Sequence, residues 1–212
     1  MMNIFRTVAD LLHLLSTLIL LYKMYNLKSC SGVSLKTQEL YLLVFITRYT
    51  DIFHYINLYL TVMKIFYLVS AAAIVYLMNT KYRSTYDAEH DKFPIVYLLV
   101  GSLVASLIFC RQYSLFEILW TFSLFLESVA VLPQLFLLNK IKRSEAINSH
   151  YLFALGGYRA LYLVNWIYRY FAEGYTPYAA WIAGAIQTAL YADFLYIYIK
   201  AAAAGKIGDL PL

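Results

Sequence analysis

Apolar stretches long enough to cross a lipid bilayer recur along almost the whole of this 212-residue chain. A membrane helix needs about 20 mostly apolar residues. Seven such runs are legible, over roughly 4–22, 35–53, 58–78, 94–110, 115–138, 147–171 and 178–200. The sequence from Glu39 to Met78 is too long for one span, and the polar cluster His54–Asn57 is where it must break. No connection has room for a soluble domain; the longest, 79–93, is short and mixed in charge. The chain is 62% hydrophobic and only 14% charged, against a usual charged share of about 25%. A water-soluble domain of this size requires more polar surface than that. A soluble enzyme, a disordered chain and a nucleic-acid binder are therefore disfavoured together. The first apolar run has no basic leader and no small-residue cleavage site, so it is expected to be retained as a span. Cys30 and Cys110 cannot make a disulfide framework, no Cys/His group has metal-ligand spacing, and no cofactor is expected.

Orientation follows from where Lys and Arg fall. The connection after the first span carries Lys23, Lys28 and Lys36; the one after the third carries Lys81, Arg83 and Lys92. Lys140, Lys142 and Arg143 follow the fifth span, and Lys200 and Lys206 follow the seventh, leaving few basic residues in the other connections. Odd-numbered connections and the C-terminal tail, 201–212, are thus expected on the cytosolic side, with the N-terminus facing a lumen.

The informative residues are the ionisable ones left inside the spans: Arg6, Asp10, Arg48, Asp51, Glu117, Glu127, Arg159, Arg169 and Asp193. Each costs at least about 2.5–3.5 kcal/mol near the hydrocarbon centre, so a chain that needed only to span would carry leucine there. Helical spacing sorts them into faces. Arg6, Asp10 and His13 share one face of the first span, and Arg48 and Asp51 are three apart in the second. Glu117, Trp120, Leu124 and Glu127 form a stripe in the fifth; Tyr158, Tyr162, Asn165, Trp166 and Arg169 form one in the sixth. Lipid cannot accept four polar stripes, so they are expected to converge on an interior cavity. With a lumenal N-terminus, Arg6, Arg48, Asp51, Glu117, Trp120 and Arg169 all lie at the lumenal level. Three arginines against Asp51 and Glu117 make that cavity about one charge positive, suited to an anionic ligand with some cationic part. The plain alternative for any one of these residues is a structural ion pair, and for His13 a packing role.

Four segments carry a resemblance to a known family: NIFRTVADLLHLL, SGVSLKTQELYLLVFITRYTDIF, FEILWTFSLFLESVAVLPQLF and HYLFALGGYRALYLVNWIYRYF. They resemble the KDEL receptors, the ER-retention receptors of eukaryotes, and the similarity covers nearly the whole chain. The resemblance implies an all-α membrane fold of seven helices, built as two three-helix bundles of the PQ-loop and SWEET type joined by a linking helix. Leu132-Pro133-Gln134 matches the PQ motif, and the proline is expected to kink the fifth span. A faint internal repeat sets Ser29 and Ser34 before the second span against Ser144 and Ser149 before the sixth.

The family binds C-terminal Lys/His-Asp-Glu-Leu signals in the Golgi, at mildly acidic pH, and releases them in the near-neutral ER; such signals are addresses read by a receptor. By resemblance, Arg48 would clamp the terminal carboxylate, while Arg6 and Arg169 would pair with the ligand's acids. Asp51 and Glu117 would receive the residue at the fourth position, with Trp120 offering a cation–π face. Tyr162, Asn165 and Trp166 would line the pocket. His13 matches the pH-sensing histidine, Glu127 and Tyr158 a pair whose hydrogen bond tightens on binding, and Asp193 a residue needed for retrograde transport. Arg159 is one candidate partner for Asp193. The family recruits the COPI coat through lysines after the last span. Here that stretch has Lys200 and Lys206 but alanine from Ala201 to Ala204. A small-solute transporter on the same fold is the other reading. An intramembrane enzyme has no motif in its favour.

Overall fold

The computed structural model describes residues 3–52, 58–141, 146–174 and 177–203, and among them the regular structure is helical. The helices are α1 (Ile4–Leu27), α2 (Leu35–Arg48), α3 (Leu58–Asn79), α4 (Ile95–Phe109), α5 (Leu115–Val129), α6 (Leu132–Ile141), α7 (Ala146–Glu173) and α8 (Tyr178–Ala203). Short polar side chains start several of them. Asn3, Ser34 and Ser114 accept hydrogen bonds from the backbone N–H groups of Arg6, Thr37 and Glu117, capping α1, α2 and α5. Gly174, with φ of 62°, ends α7 in the left-handed conformation that a side chain disfavours.

Seven expected spans thus appear as eight helices, because the fifth is broken. Pro133 lacks an N–H, and its ring would meet the carbonyl four residues earlier. That residue is Val129, where α5 stops. Other ends shift as well. The first span runs five residues further than expected, to Leu27, which puts Lys23 inside the helix, where it is buried. The second stops at Arg48 and turns through Tyr49–Ile52. At 14 residues it is about 21 Å long, shorter than the hydrocarbon core. The last helix continues to Ala203, into the expected tail. The predicted break at His54–Asn57, and Lys142, Arg143, Ser144, Ala204 and Lys206, lie outside the described residues. Ser149 is buried within α7 rather than capping it, so its likeness to Ser34 does not extend to a shared role.

Apolar residues both fill the core, as Leu20, Val44, Leu126 and Leu152 do, and cover the outside, while many small polar side chains are enclosed. In α4 the buried residues are Ser102 and Ser106, while Val96, Val100, Leu103, Leu107 and Ile108 are exposed. Across the molecule Ser16, Thr121, Ser123, Gln134 and Gln187 are fully enclosed, and Leu11, Leu15, Ile65 and Val69 face outward. Hydrocarbon accepts leucine and rejects a hydroxyl, so this is the arrangement a bilayer selects.

The helices pack as α1–α3 and α5–α8 with α4 lying on α5. Between the two groups the extensive contacts are α1 with α7 and α2 with α5, in span order first with sixth and second with fifth. Exchanging the groups turns each of these contacts into the other, as two repeated bundles require.

At one end of the molecule the polar groups close on themselves. Gln134, next to the proline break, accepts from the Ser34 backbone N–H at 2.8 Å and donates to the Gly32 carbonyl at 2.8 Å. Its own backbone N–H donates to Thr37 Oγ1. Asp91 accepts from the Ser34 hydroxyl at 2.9 Å and from the Tyr86 phenol at 2.8 Å. Burial and the bond to Asp91 push the Tyr86 pKa further above its ordinary value, so the phenol stays a donor even in alkaline solution. The start of α2, the α3–α4 connection and α6 are tied together in this way. Replacing Gln134 by Ala leaves the buried Ser34 N–H without an acceptor, at about 1–3 kcal/mol. For a chain of this size that is expected to lower the Tm in detergent by roughly 2–10 °C; an unchanged melting curve would mean the tie contributes nothing.

Candidate ligand-binding site

The opposite end is open. The N-terminal ends of α1, α3 and α5 and the C-terminal ends of α2 and α7 surround a cavity of about 650 Å³, within the range typical of ligand pockets.

Its floor is built around one carboxylate. Glu127, 1% exposed on its side chain, lies 2.6 Å from Arg48 Nη1 and also pairs with Arg159. The Tyr158 hydroxyl donates to its other oxygen. Arg48 is held further by the Ser123 hydroxyl and carbonyl, at 3.1 and 3.0 Å. The Arg159 guanidinium lies over the rings of Tyr158 and Trp166. Two guanidinium groups thus share one acid, leaving the floor with an excess positive charge. Donors remain unused there: Arg159 Nε, and Arg6 Nε nearer the mouth, are buried without a hydrogen-bond partner among the described residues. Buried donors of this kind are rare in a structure that has no use for them.

Beside the floor, the His13 ring is stacked between Tyr158, at 4.1 Å, and Tyr67, at 4.4 Å. Asp10 is saturated by phenols: Tyr59 donates at 2.8 Å to one oxygen and Tyr162 to the other. Arg6 stands 4.0 Å from Asp10, too far for a hydrogen bond. Acids mark the mouth. Asp51, 49% exposed on its side chain, pairs with Lys64 at 2.8 Å. Glu117 lies in the first turn of α5, and its carboxylate has no partner among the described residues.

Thirteen of the residues singled out from sequence line this one space: Arg6, Asp10, His13, Arg48, Asp51, Glu117 and Trp120, with Leu124, Glu127, Tyr158, Arg159, Tyr162 and Trp166. Asn165 and Arg169 do not. Asn165 accepts from the Asn3 side chain at 2.7 Å, and Arg169 pairs with Glu173 one turn further along α7. Asp193 is exposed on α8 without an ion-pair or hydrogen-bond partner among the described residues. Its suggested partner Arg159 is on Glu127 instead. Lys200 is exposed at the far end of α8. Asp51 is not on a stripe with Arg48, because α2 has already ended.

The charge balance also differs from the expectation of a positive cavity. The described lining carries four cations (Arg6, Arg48, Lys64, Arg159) and four acids (Asp10, Asp51, Glu117, Glu127). It is neutral in sum and polarised along its depth, basic at the floor and acidic at the rim. From the sequence Asp10 is placed on a cavity-facing stripe without a ligand role, Arg159 is considered only as a partner of Asp193, and Lys64 and Tyr59 are given no site role. The signal for Arg159 was present, since Arg159, Tyr162 and Trp166 are themselves spaced three and four apart.

Residues 29–169 match the family described as ER lumen protein retaining receptor. The chain is 50% identical over 211 residues to an ER lumen protein-retaining receptor of Drosophila melanogaster, covering 99% of this chain and all of that protein. It is likewise 50% identical over 211 residues to ER lumen protein-retaining receptor 2 of Homo sapiens, with the same coverage. A Caenorhabditis elegans ER lumen protein-retaining receptor is 50% identical over 213 residues, covering both chains in full.

One wall of the cavity depends on a residue that hydropathy does not reveal. A Cβ on Gly184 of α8 would come 2.5 Å from Cζ3 of the Trp166 ring, closer than two carbons can approach. Gly184→Ala therefore displaces the indole from the cavity wall. Overpacking of this kind costs about 1–3 kcal/mol, so the Tm is expected to fall by roughly 2–10 °C. A variant as stable as the parent would show that the indole has room to yield.

Proposed function

The chain belongs to the ER lumen protein retaining receptor family, and on that premise we propose that it retrieves escaped ER proteins by binding their C-terminal Lys/His-Asp-Glu-Leu tails in the cavity described above. The observation that carries this reading is the polarity of the cavity along its depth. Glu117 at the rim and Glu127 at the floor are on the same helix, ten residues apart, which is about 15 Å of axial rise. Four extended residues span about 13–14 Å. A Lys-Asp-Glu-Leu tail places its cation at one end and its terminal carboxylate at the other. With the carboxylate at Arg48 and Arg159, its lysine reaches the level of Asp51 and Glu117.

Arg48 clamps the terminal carboxylate, Arg6 meets an acid of the tail along the wall, and Trp120 lies beside the cation. Arg169, whose Nε pairs with Glu173 in this structure, would meet an incoming acid through its remaining donors or by leaving that pair. Lys28, Lys36, Lys81, Arg83, Lys92 and Lys140 all lie at the end opposite the mouth, which supports a cavity facing the lumen. That orientation leaves the start of α2 and the end of α8 toward the cytosol, where coat proteins of the COPI class would act. Asp193 would contribute to transport from the outer face of α8.

His13 supplies the pH response. An anionic tail at the floor favours the imidazolium over the neutral ring. Proton binding and ligand binding therefore reinforce one another, and affinity rises as pH falls through the histidine range. The Tyr158 ring stacked on His13 also holds Glu127, so a change at His13 reaches the carboxylate that joins α5, α2 and α7.

A labelled peptide ending in free-carboxylate Lys-Asp-Glu-Leu is expected to bind more tightly at about pH 5.5–6 than at about pH 7.5. Amidating that terminus should abolish binding. Equal affinity at both pH values would remove the switch, and His13→Ala is expected to flatten the profile. Uptake of a small solute into proteoliposomes, without peptide binding, would favour a transporter instead. Arg48→Ala should weaken the peptide by about 2–5 kcal/mol; wild-type affinity in that variant would dismiss the carboxylate clamp.

A further inference from the structure

The cavity mouth contains a cation that the proposed ligand does not supply. Lys64 Nζ lies 2.8 Å from Asp51 Oδ2. Asp51 is beyond the end of α2, and Lys64 is in the second turn of α3, so the pair joins two elements across the rim. The Lys64 side chain is 14% exposed and has no other hydrogen-bond or ion-pair partner among the described residues. Glu117, the other acid of the rim, has none at all among them.

We propose that Lys64 is a specificity-determining residue: it occupies Asp51 as a resident cation, so a tail with Lys or His at its fourth position from the end meets a carboxylate already neutralised, whether it shares Asp51 or displaces Lys64. The inference rests on the receptor reading above. A tail whose fourth residue is neutral leaves the Lys64–Asp51 pair intact and strands no charge. A cationic tail finds Asp51 already paired and meets an unpaired carboxylate only at Glu117. Lys64 therefore flattens the difference between cationic and neutral tails. The rim accepts a range of fourth residues where two bare carboxylates would insist on a cation.

The test compares two free-carboxylate peptides on the full chain, one ending Lys-Asp-Glu-Leu and one ending Ala-Asp-Glu-Leu. The readout is the ratio of the Ala-tail Kd to the Lys-tail Kd. Using a ratio removes any general effect on anionic peptides. In Lys64→Gln the ratio is expected to rise about two- to fivefold, the scale of a partly exposed ion pair. Lys64→Arg, whose guanidinium grips a carboxylate more firmly, is expected to lower it below the wild-type value. With Asp51→Asn in place, adding Lys64→Gln should leave the ratio where Asp51→Asn alone puts it. A ratio unchanged or reduced in Lys64→Gln overturns the inference. If that variant fails to fold, a ratio raised by Lys64→Arg overturns it equally. Failure of the wild type to bind either tail would instead sink the receptor reading itself.

Discussion

A buried carboxylate shared by two arginines holds this structure together where its two halves meet. Glu127 comes from α5, Arg48 from α2, and Arg159 and Tyr158 from α7. Burying an ion in a membrane bundle is costly unless partners surround it. Each of these helices therefore has to keep its position for the others to remain solvated by protein. The same arrangement is incomplete as an ion pair. One negative charge serves two guanidinium groups, and the Arg159 Nε donor is unmatched among the described residues. The interaction that joins the bundles also makes the cavity floor attractive to a further anion.

The two ends of the molecule solve the polar-burial problem differently. Where Gln134, Ser34 and Asp91 meet, donors and acceptors match one another and the segment between α3 and α4 is drawn onto the helices. That end depends on the break at Pro133, which frees the chain to present Gln134 to the start of α2. At the cavity end, matching is partial and graded with depth: phenols bond both oxygens of Asp10, Lys64 covers Asp51, and Glu117 has no partner among the described residues. A site that must exchange its partners cannot satisfy all of them in advance.

The stripe Glu117, Trp120, Leu124 and Glu127 was legible because α5 is a regular helix throughout, and all four residues line the cavity. Periodicity worked less well where regularity ended. Arg48 and Asp51 look like neighbours on a helix, but α2 stops between them and Asp51 turns to Lys64 of α3. On α7 two arginines were available, and spacing alone could not choose between them. Arg169 has an acid four residues on, at Glu173, and takes it; Arg159 has no acid one turn away on α7 and reaches Glu127 on α5. The expected positive cavity failed for the same reason, since its charge depends on which ions face inward across helices.

The sequence by itself determined the membrane class, the number of spans, a distortion of the fifth span at the proline and the need for an interior polar space. All of these follow from transfer free energies and helical geometry, which act along the chain. Only the tertiary structure decided which arginine shares Glu127, that Lys64 covers Asp51, and that Gly184 makes room for Trp166. Each of those is a contact between helices far apart in sequence. A helix specifies its own faces, but its partner across a packed interface depends on rotation, depth and side-chain size on both sides at once.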